Sequence, residues 1–392
     1  MKVFAGGDIA PDLIVPRACA HASDSNAMEA LAQQLGAGPF SLIMLFASPT
    51  ADLEGLPKEV ARVFGETPVI GCTTAGEISD AGYDEGTIVA LALPVELFRV
   101  DTLTISDLNG LDPPALAADL VRTRSAMAQR YPELAHEFAM LLVDGLSQKE
   151  DELTSALAAG LGAMPMLGGS AGDGVHFGRT FVLDGHRLSS NAAVLALVRT
   201  ECPVRIFNFD HLVPTDIRMV VTEADPRRRI VRQINAEPAA REYARLAGKD
   251  PQQLSPFTFA AHPVAVRMGA RHHVRAIRQV MDNGDLIFFS AIDEGVVLTI
   301  TEPGDLVGQL DRELARLCMP ERPTAILAFD CILRRLEAEE KQIVGPLSEL
   351  LRRYSVVGFS TYGEQFGPMH VNQTMTGVAI YPPGTVLPEK VP

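Results

Sequence analysis

Val69-Ile70-Gly71-Cys72-Thr73-Thr74-Ala75-Gly76-Glu77 is a phrase that the chain writes twice more, as Met166-Leu167-Gly168-Gly169-Ser170-Ala171-Gly172-Asp173 and as Val356-Val357-Gly358-Phe359-Ser360-Thr361-Tyr362-Gly363-Glu364. Each copy runs from an apolar pair through glycine, a hydroxyl residue and a second glycine to a carboxylate. The approach is also the same: an apolar run (Leu42 to Phe46, Met140 to Val143, Ala325 to Phe329), a helix-patterned stretch, then a second short apolar run. That order reads as strand, helix, strand, three times over. Such crossovers are nearly always right-handed, so units sharing a sheet direction would bring their glycine-rich loops to corresponding strand ends, where α/β proteins place ligand sites. One copy alone would be explained by glycine in a tight turn. Three copies carrying hydroxyls and acids point to a shared pocket.

The surrounding pattern predicts an α/β (α+β) chain of mixed β-sheets covered by helices, layered as α-β-β-α. Asn26 with Glu29 forms a capping-box pattern for a helix to about Leu35. Further helices are predicted over Asp52 to Phe64, Pro113 to Ala128 and Lys149 to Leu161. From Arg179 the turn signals Asp184-Gly185, Asp225-Pro226 and Asn283-Gly284 separate alternating or β-branched runs, which predicts antiparallel hairpins. Helices return before Gly248, over Pro303 to Leu317 and over Leu336 to Arg353, and one strand from His370 to Tyr381 closes the chain. A boundary near Pro214 divides the sequence into two related domains, 25–213 and 214–385. No low-complexity linker joins them, so they are expected to pack together.

Of 392 residues, 34 are Lys or Arg and 49 are Asp or Glu, a net charge of −15 that argues against a nucleic-acid partner. The basic run Arg227-Arg228-Arg229 reads as a solvated turn. Five cysteines form no Cys-x-x-Cys pair and no disulfide framework, which suits a reducing compartment. No run approaches the roughly 20 apolar residues of a membrane span, so a soluble, cytoplasmic protein without a membrane partner is expected. Oligomeric state is left open, a homo-oligomer included.

The carboxylates Glu77, Asp173 and Glu364 could converge on a cationic group, such as the amine of an amino acid, while backbone N–H groups of the same loops hold its carboxylate. The competing use, each acid capping its own turn, weighs about the same. Around them, Gly71, Thr73, Thr74, Gly168, Gly169, Ser170, Gly358, Ser360 and Asn372 complete the expected ligand loops. Cys72 and Ser170 are conceivable nucleophiles. A small half-buried cysteine is usually packing, however, and Gly168-Gly169-Ser170-Ala171-Gly172 lacks the following helix of a hydrolase elbow. No histidine pair has metal-binding spacing. A single axial imidazole would leave no spacing signature, which keeps His211, His262 and His370 as candidates beside the plainer reading of hydrogen-bonded structural histidines.

Taken together, Ile70 to Glu77, Gly168 to Asp173 and Gly358 to Gln365, with His370-Val371-Asn372-Gln373-Thr374, resemble the FIST family from about residue 25 to 382, as FIST N and FIST C domains. Val221 to Pro226, Ile234 to Ala239, Ala291 to Gly295, Cys331 to Glu337 and Met375 to Ile380 are similar to its NosP-type branch, nitric oxide-sensing haem proteins. The resemblance implies a non-catalytic sensor with haem b, His211 as the iron ligand, nitric oxide as the signal, and a histidine kinase, diguanylate cyclase or phosphodiesterase as partner. The rival expectation is a haem-free module that binds an amino acid or amine.

Overall fold

A computed structural model describes residues 14–269 and 271–388. The three strand-helix-strand units do not share one sheet; each builds its own six-stranded sheet. In the first, Phe40–Ala47 lies parallel to Val69–Thr73; in the second, His136–Val143 lies parallel to Met166–Ser170; in the third, Ala325–Cys331 lies parallel to Val356–Thr361. These strands are near-continuous apolar runs because both faces are covered.

The three sheets exchange strands in a cycle. After Val69–Thr73 the first unit sends its hairpin, Glu77–Ser79 with Gly82–Asp84, to the edge of Val356–Thr361 in the third sheet. The third unit sends Glu364–Phe366 with Met369–Val371 to Met166–Ser170 in the second. The second returns Val182–Asp184 with Arg187–Ser189 to Val69–Thr73 in the first. Opposite edges continue the pattern, since Phe98–Ile105 pairs with Ala193–Thr200 of the second sheet and Val204–Phe209 with Met375–Ile380 of the third.

The sheets turn their inner faces to one core, in which the Phe46 ring of the first packs 4.7 Å from Phe359 and, edge to face, 6.2 Å from Phe329 of the third, with Leu142, Leu167 and Val194 of the second. Helices cover each outer face: Ala27–Leu35 and Leu56–Phe64 on the first, Pro113–Arg130 and Glu150–Leu161 on the second, Leu306–Leu317 and Val344–Arg353 on the third. A section through any two sheets therefore reads helix, sheet, sheet, helix, and the expected α+β class of mixed sheets under helices is observed.

Between His211 and Gly304 the chain leaves this prism for a curled antiparallel half-barrel, built on Leu212–Asp225 paired with Val297–Pro303 on one side and Ile230–Ile234 on the other. Tyr243 and Phe259 fill it from the helices Ala239–Ala247 and Pro256–Ala261.

Four local readings change. Asn26 precedes its helix without a side-chain capping bond, and its backbone N–H donates to Asp24 Oδ1 at 2.9 Å. The span 336–353 is two helices, Ile332–Glu340 and Val344–Arg353, broken at Gln342, whose φ is +56°. The closing strand is also two, Met369–Val371 and Met375–Ile380, in different sheets; Gln373 at φ +54° turns the chain between them. Of the basic run only Arg227 and Arg228 are solvated. Arg229 is buried, donating to Glu150 Oε2 at 2.6 Å and tying the half-barrel to the prism.

Candidate functional site

The phrases meet where the three sheets converge. Ala75 N–H donates to the Ser360 carbonyl at 2.8 Å, Tyr362 N–H to Ser170 at 3.2 Å and Gly172 N–H to Thr73 at 3.0 Å, the same bond three times around an axis. Thr73, Ser170 and Ser360 are all buried there. The leading glycine of each phrase is a strand residue rather than a loop residue. A Cβ on Gly71, Gly168 or Gly358 would run into the carbonyl of Leu45, Leu141 or Ala328 on the parallel neighbour, so close backbone approach requires glycine. Nor is the ring open at its centre: a Cβ on Gly169 would press on Thr361 at 2.8 Å and on Phe359 at 3.0 Å.

The return bonds reveal one irregularity. Ser360 N–H donates to Gly76 at 2.7 Å and Ser170 N–H to Gly363 at 2.8 Å, but Thr73 N–H reaches Phe181 at 3.0 Å rather than Asp173. Residues 173–180 are thus an insertion between the second phrase and its hairpin. Its carboxylate is not the counterpart of the other two. Glu77 accepts from the Thr74 hydroxyl at one oxygen and from Thr87 N–H and Oγ1 at the other, 3.1 and 3.3 Å away. Glu364 repeats this with Thr361 and with Thr374 N–H and Oγ1 at 3.3 and 2.8 Å. Burial pushes these carboxyls up, Glu77 to about 7 and Glu364 to about 8. Asp173 instead accepts the Tyr362 hydroxyl at one oxygen and the N–H groups of Gly178 and Arg179 at the other, 2.8 and 2.7 Å away.

Beside the ring opens a cleft of about 480 Å³. Ala75, Gly76 and Glu77 form its floor; Asp173, Gly174, Val175 and His176 of the insertion form one wall, and Ser48 and Thr50 stand at the end of Phe40–Ala47. Pro256 and Phe257 of the half-barrel close it from above, opposite Ile332, Arg335, Leu336 and Glu339. Arg335 lies across the floor, donating from Nη1 to the Asp84 carbonyl at 3.0 Å, from Nη2 to Glu85 at 2.8 Å and from Nε to Glu339 at 3.4 Å. Gly76, at φ +127°, leaves the room that Nη1 occupies. Two of the three phrases therefore contribute to the cleft; Ser360, Glu364 and Asn372 lie outside it, Asn372 lining a separate 330 Å³ cavity at the seam with the half-barrel. Sequence reasoning missed Arg335, Glu85 and Glu339. The signal was available in Ile332-Leu333-Arg334-Arg335-Leu336, where two arginines inside an apolar helical run demand partner carboxylates.

His211 sits at the crossing into the half-barrel with its side chain fully enclosed. Arg334 Nη1 approaches Nδ1 at 3.0 Å and Glu337 Oε2 lies 2.8 Å from Nε2. Guanidinium has no acceptor, so Nδ1 accepts, Nε2 carries the proton to Glu337, and neither nitrogen has a lone pair for iron. Burial and the Arg334 charge hold the ring below its usual titration range, although the Glu337 hydrogen bond opposes them. His262 ends the helix Pro256–Ala261, and its carbonyl accepts the Tyr243 hydroxyl at 2.7 Å. His370 is buried with Nε2 unpartnered, but Cε1 and Nε2 are packed so close to Gly363 that a Cβ there would run into both. None of the three lines the 480 or the 330 Å³ cavity, nor the 740 Å³ hollow on the outer side of Asp173 and His176, so the residues present do not fit a haem on any of them. Among the described residues no group of three or more His, Cys, Asp or Glu is placed to hold a metal. The Cys72 thiol is pushed well up by burial, and Ser170 Oγ accepts from Gln365 at 3.0 Å, an unreactive setting for both.

Two domains of the FIST type, which mark sensory signal-transduction modules that bind small ligands, make up this fold. The chain belongs to the FIST family: the FIST N domain matches residues 41–237 and the FIST C domain residues 239–367. No curated protein matches it. Among the described residues no helix is long and apolar enough to cross a membrane.

Proposed function

We propose that this chain is a haem-free sensory module that holds an amine-bearing ligand, such as an amino acid, in the 480 Å³ cleft. The observation that supports this reading is the cleft's lining, four acids to one arginine: Glu85 and Glu339 pair with the Arg335 guanidinium, and Asp173 and Glu77 line the same space. An ammonium group entering this partly dehydrated space gains more from a carboxylate than it would in water. The walls come from both the prism and the half-barrel, so a ligand touching both biases their relative position. Signalling to a partner, such as a histidine kinase or a cyclic-di-GMP enzyme, then needs only a different partner affinity in the two states. The haem-based nitric oxide reading is supported by the resemblance alone, because His211 offers no free nitrogen.

Calorimetry of the full chain with a panel of amino acids and simple amines tests this. Saturable binding is expected, weakened about tenfold in Glu339→Gln, the cost of one charged hydrogen bond, and protein produced with haem supplied shows no Soret band. A flat panel, together with a Soret band lost in His211→Ala, would overturn the proposal in favour of the haem sensor.

A further inference from the structure

We infer that Arg335 is the anchor for a ligand carboxylate, and that Glu85 is a built-in stand-in which that carboxylate displaces. The inference rests on the cleft taking a small ligand, and it supplies the anionic half of the recognition.

The Arg335 side chain is only 7% exposed, and a buried cation must be paired. Three features fix its orientation independently of any carboxylate. The Asp84 carbonyl holds Nη1, the Gly76 backbone packs against the same nitrogen, and the Tyr83 ring lies under the guanidinium at 5.5 Å. A planar fork held this way is preorganised for a carboxylate. The group that meets Nη2 is Glu85, whose side chain is 75% exposed and whose carboxylate makes no other hydrogen bond among the described residues. An ion pair whose carboxylate stands mostly in water is weaker than one with both partners buried. A free carboxylate arriving through the cleft can make the same contact while Glu85 swings into solvent. At Nε, Glu339 stands 3.4 Å away and is 40% exposed, near enough to receive the ammonium of the same zwitterion. The ligand class this selects is the α-amino acid rather than the simple amine.

The test uses the full chain labelled with ¹⁵N at arginine Nε, with the Arg335 signal assigned through Arg335→Lys and sodium acetate as the probe. Removing an intramolecular competitor of surface ion-pair strength lowers the acetate midpoint about two- to fivefold in Glu85→Ala relative to the unaltered chain. Glu85→Gln serves as the second variant, keeping the side-chain length without the charge, and is expected to shift the midpoint in the same direction. Equal midpoints, no acetate response in the Glu85 variants, or an equal response to sodium chloride would each overturn the anchor. The two readings fail separately. A flat amine panel with an acetate-responsive Arg335 removes the amine proposal and keeps the anchor; amine binding with a silent Arg335 does the reverse.

Discussion

Glu77 and Glu364 on one side, and Asp173 on the other, close the same sequence phrase and do different work. The two glutamates are clasped alike, by a hydroxyl three residues earlier and by the N–H and hydroxyl of a threonine ten residues later. Each clasp pins the strand that passes to the next sheet to the strand that returns from it. Asp173 pins an excursion instead, through Tyr362, Gly178 and Arg179, and that excursion is the wall of the cleft. The kept first phrase supplies the floor of the cleft, and the departure of the second copy supplies its wall. Repetition built the fold, and the exception to it completed the site.

The comparison breaks most readily at a clasp. Glu364→Ala leaves the Thr361 and Thr374 hydroxyls and the Thr374 N–H buried without an acceptor, which costs about 3–5 kcal/mol, read as a fall in the urea midpoint. Asp173→Ala, at the rim, should cost clearly less. Equal losses would mean that the clasps are not what holds the sheet exchange together.

The clasps also sharpen the contrast through pH. Their folded-state pKa values lie above the ordinary 4.5, at about 7 and about 8, because burial disfavours the charged form. The folded chain therefore binds more protons than the unfolded one. The stability involved is fully present below about pH 4.5 and is lost as pH rises through 7 and 8. His211 and His370, held low by burial, act in the opposite sense and lose their contribution as pH falls below 6.5. Comparing the unaltered chain with Glu364→Gln cancels the histidines. The unaltered chain should lose stability relative to the variant by on the order of 1 kcal/mol per pH unit between about pH 5 and 8, and not above. A pH-independent difference in urea midpoint would show that Glu364 ionises normally in the folded chain.

Much of this architecture was legible in the sequence because local signals carried it. The apolar runs at Leu42, Met140 and Ala325 marked the central strands, and Asp184-Gly185 marked a hairpin that forms where expected. What stayed hidden depends on contacts between distant residues. Nothing near Glu77 says that its hairpin pairs with Val356–Thr361, because an edge strand carries no local record of its partner. Asp173 looked equivalent to Glu77 because each is the acid that ends its phrase, although it stands five places after the leading glycine and not six; the hydrogen bond from Thr73 to Phe181 shows that the backbone departs there. For Arg335 the apolar run around it could announce burial, but not its partners Asp84 and Glu85, which lie far away in the chain.

The smallest expected effect separates ring from insertion at two glycines. A Cβ on Gly172 would meet Ala75 Cβ at 2.7 Å and its backbone nitrogen at 2.8 Å, in the packed ring where backbone cannot yield. Gly174, two residues on, has φ +71° but meets nothing closer than His176 Cδ2 at 3.8 Å. Gly174→Ala should therefore cost only the left-handed backbone term, about 1 kcal/mol, whereas Gly172→Ala should cost several times that, both read by urea denaturation. Because Gly174 lines the cleft, the same mild substitution should weaken amino-acid binding in calorimetry while the fold persists. Were Gly174→Ala as damaging as Gly172→Ala, the insertion would be part of the packed ring rather than a wall added to it.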